Sequence, residues 1–66
     1  MTTEPVTLTF VAEKTTKNTI RFQELDEEGR PVFGSNSVIG MVYVQKSAFS
    51  GKAPKTIRVT LEEVDG

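Results

Sequence analysis

Cysteine, histidine and tryptophan are all absent from the 66 residues. Without cysteine there is no disulfide, no thiolate nucleophile, no iron–sulfur cluster and no cysteine-based zinc site. Without histidine there is no imidazole base near neutral pH and no imidazole metal ligand. Catalytic triads and Cys-His pairs are excluded together. A hard-cation site made of carboxylates is the one metal chemistry left open, so no cofactor and no metal is expected. The lack of cysteine also leaves the redox compartment unmarked.

Long apolar runs are missing too. The longest wholly apolar stretch spans four residues, Met41 to Val44, where a membrane helix needs about 20. The N-terminus, Met1-Thr2-Thr3-Glu4-Pro5, lacks the basic start and apolar run of a signal peptide. The expectation is a soluble, cytoplasmic chain with no membrane partner. Length sets a further limit. Below about 70–80 residues a single core supplies only about 3–5 kcal/mol of net stability. Disulfides cannot help here and a metal is not expected, which favours self-association as a homodimer.

What is present favours strands. Val, Ile and Thr number 8, 3 and 9, while Leu and Ala together number six. β-branched side chains fit a pleated surface and lose rotamer freedom in helices. Val6 to Glu13 alternates, with Val6, Leu8, Phe10 and Ala12 on one face. Residues 14–18 are a polar loop. Thr19 to Leu25 alternates again, Ile20 and Phe22 opposing Arg21 and Gln23, so the two segments predict a hairpin. Asp26-Glu27-Glu28-Gly29 reads as a second turn. Arg30 to Phe33 is a candidate short return strand, with Pro31 confined to an edge or bulge. Val38 to Gln45 places Val38, Val42 and Val44 on one face and Ile39, Met41 and Tyr43 on the other. Apolar residues on both faces predict a central strand, or one whose second face meets a partner. Gly40 marks a bulge or a close backbone approach. Residues 46–49 suggest one helical turn. Thr56 to Val64 alternates with Ile57, Val59 and Leu61 inward. Residues 1–66 therefore predict one small all-β domain, frayed at 1–5 and 65–66. It is an antiparallel sheet or barrel of four to five strands, of SH3-like or OB-like size.

No motif carries a specific chemistry. Asp26, Glu27 and Glu28 are adjacent on a tight turn and cannot converge on one ion, so they read as a solvated tip. Gly51-Lys52 lacks the upstream glycine and following Ser or Thr of a phosphate-binding loop. No catalytic residue is identified, and the chain is expected not to be an enzyme.

Charge patterning says more. Residues 1–29 carry three basic and six acidic groups; residues 30–66 carry five and three. No acid lies between Arg30 and Leu61, whereas Arg30, Lys46, Lys52, Lys55 and Arg58 all do. Tyr43 and Phe49 are interleaved with them. Cations that track phosphates beside rings that stack on bases are the features of single-stranded or backbone-directed nucleic-acid binding. The expected nucleic-acid-binding residues are Arg30, Tyr43, Lys46, Phe49, Lys52, Lys55 and Arg58. Lys14, Lys17 and Arg21 would extend the patch if the fold brings them near. The alternative is a protein-interaction or self-assembly module, with Ile39, Met41 and Tyr43 as its interface and no nucleic acid.

Overall fold

Val6–Thr15 forms the first strand, β1, and Thr19–Leu25 the second, β2. Both follow from the period-two alternation, which puts Leu8, Phe10, Ala12, Ile20 and Phe22 on one face. The ladder runs antiparallel from Thr9–Leu25 to Thr15–Ile20 and slips between Ala12 and Lys14, so Glu13 sits on a β-bulge. The connection is shorter than expected. Thr16 N–H donates to the Thr19 carbonyl at 2.8 Å, leaving Lys17 and Asn18 as the hairpin tip. The computed structural model describes residues 4–65; residues 1–3 and 66, part of the expected frayed ends, lie outside the described residues.

Met41–Gln45 is β3 and Thr56–Leu61 is β4. The sheet order is β3-β2-β1-β4, antiparallel throughout, and it curls into a half-barrel. The domain is all-β, with four strands and no α-helix among the described residues. No helix there is long and apolar enough to cross a membrane. Phe10, Ile20 and Phe22 are fully buried on the concave face. Val42, Val44, Ile57 and Val59 pack around them from the outer strands. Each such side chain contributes about 1.5–3 kcal/mol when fully buried, so three of them make a small core.

Because β3 and β4 lie at opposite edges, the chain between them must cross β2 and β1. Residues 46–55 do so over one end of the half-barrel. A 3-10 turn, Lys46–Ala48, stands where a helical turn was expected. Phe49 then drops its ring edge-on against Phe22, centroids 6.2 Å apart. Ala53 packs on the core, and the Lys55 carbonyl accepts Ala12 N–H at 2.7 Å. The other end is organised by Asp26, whose Oδ1 accepts the N–H groups of Glu28 and Arg30. The expected return strand at 30–33 reduces to a single bridge, Leu25–Pro31.

Three expectations are corrected here. The Val38–Gln45 segment is not a central strand: it begins at Met41 and forms an edge. Its apolar residues do not split into the two faces that alternation predicts. Gly40 takes φ +95°, which breaks the period ahead of the strand. Ile39 therefore packs against the core, Val38 is exposed, and Met41 and Tyr43 remain on the convex face. Leu61, expected inward, is half exposed because β4 ends there, beyond the buried part of the sheet.

Candidate nucleic-acid interface

The strand order converts a linear charge pattern into a polar molecule. β1 rises toward the hairpin tip, β2 descends from it, β3 rises again and β4 descends. The end that holds the tip and the 46–55 crossover carries Lys14, Lys17, Arg21, Lys46, Lys52 and Lys55 against Glu13 alone, a net +5. The opposite end and the adjoining strand halves carry eight carboxylates against Arg30 and Arg58, a net −6. The total of −1 thus conceals a strong axial dipole.

The basic end is bound together by backbone pairing. Lys46 N–H donates to the Asn18 carbonyl at 2.8 Å, which ties the start of the crossover to the hairpin tip. Lys14 pairs with Arg21, and Arg21 with Tyr43, so these three form one transverse row across β1, β2 and β3. Their side chains, with Thr16 and Thr19, line a shallow convex groove of about 280 Å³. Tyr43 is 68% exposed and offers its ring to solvent. The neighbouring Tyr43 hydroxyl and the Glu13 carboxylate both raise the Arg21 pKa above the ordinary arginine value. Its Nη2 donates to Glu13 Oε1 at 2.5 Å. No ion pair among the described residues involves any of the five lysines.

The residues picked out from the sequence separate into groups. Lys46, Lys52, Lys55 and Tyr43 fall at or beside the basic end. Arg30 falls at the far end, where its guanidinium meets Glu28 at 2.6 Å and Asp26 at 3.6 Å. Arg58 is exposed on the convex face of β4, opposite Thr9 and at the sheet edge farthest from Tyr43's strand. Phe49 is half-buried under the crossover and has its ring against Phe22, so it is a core side chain rather than a stacking surface. Lys14, Lys17 and Arg21, considered conditionally, are brought to the same end by the hairpin. Of the expected interface residues, Met41 and Tyr43 stay outside and Ile39 does not.

One residue was missed. Glu24, on the concave face of β2 beside Phe22, is only 3% exposed. Its carboxylate accepts the N–H groups of Val38, Ile39 and Gly40 at 2.8–3.1 Å. Burial pushes its pKa up, but the three backbone donors outweigh that and leave it below the usual glutamate value. The signal was present: period two places Glu24 in line with Ile20 and Phe22. Its neighbour Gln23, also buried, donates Nε2 to the Val32 carbonyl at 2.8 Å and to the Gly40 carbonyl at 3.3 Å. This pair staples residues 32–40 to β2, a structural role. Among the described residues no group of His, Cys, Asp or Glu is placed to hold a metal ion.

No protein-family model, no curated protein and no solved structure matches the chain.

Proposed function

We propose that this chain is a non-enzymatic β module that binds nucleic acid, single-stranded or through its backbone, at the basic end. The carrying observation is the convergence of six cations on one end of the half-barrel beside an exposed tyrosine. The contact region differs from the segment 30–61 that the sequence suggests. It loses Arg30, Phe49 and Arg58 and gains Lys14, Lys17 and Arg21. Lysines free of ion pairs can track phosphates without first breaking a salt bridge, and Tyr43 supplies a face for one base.

Fluorescence anisotropy with a labelled single-stranded oligonucleotide tests the reading. With four to six phosphate contacts, the logarithm of affinity should fall against log salt with a slope of about −3 to −4. Lys46→Glu with Lys55→Glu should weaken binding and flatten that slope. Tyr43→Ala should weaken binding and leave the slope unchanged. Absence of binding to DNA and RNA, single- or double-stranded, at about 50 mM salt would refute the proposal.

A second reading, a protein-interaction module, is favoured by the exposed pair Met41 and Tyr43 on an unpaired edge strand.

A further inference from the structure

The half-barrel does not close, so two strands have one side without a partner among the described residues: β3 and β4. Alternation in the ladders fixes what each edge presents. Gly40 pairs with Glu24 through the Glu24 N–H, so the inward-bonding residues of β3 are Val42 and Val44. The N–H and C=O groups of Met41, Tyr43 and Gln45 point outward. The Ala12–Lys55 bond likewise turns Thr56, Arg58 and Thr60 outward on β4.

The two edges are guarded differently. β4 carries Arg58 in its middle, a charge that opposes symmetric self-pairing. The outward residues of β3 carry no charge, and the strand presents Met41 and Tyr43, 37% and 68% exposed. We propose that β3 pairs antiparallel with β3 of a second copy about a two-fold axis at Tyr43, making one continuous eight-stranded sheet.

Charge selects this occupant and this orientation. The charge axis lies along the strands, so antiparallel pairing sets the +5 end of each copy beside the −6 end of the other. Parallel pairing would set like ends together. Tyr43 meets Tyr43 of the second copy across the axis, and Met41 meets Gln45. About six backbone hydrogen bonds would form, using groups that β2 leaves free. The Lys14–Arg21–Tyr43 row then continues into its counterpart as a band about 24 Å long at ordinary strand spacing. The dimer does not rest on the nucleic-acid reading, and its test needs no nucleic acid.

Sedimentation velocity on the full chain from about 5 to 500 µM reads the equilibrium directly. Gln45→Pro is the sharp variant. Gln45 has φ −66°, which proline adopts, and its N–H points away from β2. The monomer fold should survive, as far-UV circular dichroism would verify, while the dissociation constant rises at least tenfold. Tyr43→Lys, which places like charges face to face, should do the same. Thr60→Lys on the β4 edge should have no effect. Raising salt should weaken the wild-type dimer. A monomer at every concentration would overturn the proposal, as would a dimer indifferent to both Gln45→Pro and Tyr43→Lys.

Discussion

Removing the Glu24 carboxylate should come close to unfolding the domain. In the native state it accepts three backbone N–H groups, from Val38, Ile39 and Gly40, at a site 3% exposed. Glu24→Ala leaves those donors without an acceptor. A buried donor left unpaired costs about 1–3 kcal/mol, and partial hydration of the loop puts the sum near 3 kcal/mol. A domain of this size has only about 3–5 kcal/mol to lose. Glu24→Gln is the informative companion. Oε1 takes all three bonds and could be kept by the amide oxygen, but the charge goes and the amide NH₂ turns toward Val38 N–H. Its cost should be smaller, about 1–2 kcal/mol. Urea denaturation followed by far-UV circular dichroism gives the order. With a slope of about 1 kcal/mol/M, the midpoint should drop by about 1–2 M for Gln and about 3 M for Ala. If Glu24→Ala stays within about 0.5 kcal/mol of wild type, water serves the loop donors equally well and the reasoning fails.

Acid should unfold the protein through the same group. Glu24 titrates lower folded than unfolded, so its contribution is complete above about pH 4.3 and is lost as pH falls through the folded value. Asp26 is shifted the same way, first by the Arg30 N–H, and adds to the acid limb. With no histidine, urea midpoints should be flat from about pH 6 to 8, and Glu24→Gln should flatten the limb below pH about 4.5. Gly40→Ala should cost about 1–2 kcal/mol, since φ +95° strains any side chain and the residue belongs to the Glu24 cradle. Gly29→Ala at φ +85° should cost less, because nothing lies within 4 Å of the added methyl and the turn is free to adjust. Chemical denaturation compares the two. Phe49→Ala should lower the urea midpoint, because its ring lies on Phe22. A change in oligonucleotide affinity with an unchanged midpoint would instead make it a binding residue. Arg30→Ala should leave oligonucleotide affinity unchanged by anisotropy, because its partners Asp26 and Glu28 hold it at the acidic end.

The sequence by itself determined what depends on neighbours along the chain. Missing cysteine and histidine removed whole chemistries. Alternation located Val6–Glu13 and Thr19–Leu25 and named Phe10, Ile20 and Phe22 as inward, because the pleat has period two whatever it later packs against. It faltered where a local break intervened: Gly40 reversed Ile39 and Val38, and a single bridge replaced the strand at 30–33. Tertiary structure alone decided the pairing order. Strand pairing is set by contacts far apart in sequence, and nothing within Met41–Gln45 marks it as an edge. That order sent Arg30 to one end and Lys14, Lys17 and Arg21 to the other. It also buried Glu24 against residues 38–40. The linear split of charge at residue 29 became a dipole along the strands, because antiparallel pairing sorts residues by height in the sheet rather than by position in the chain.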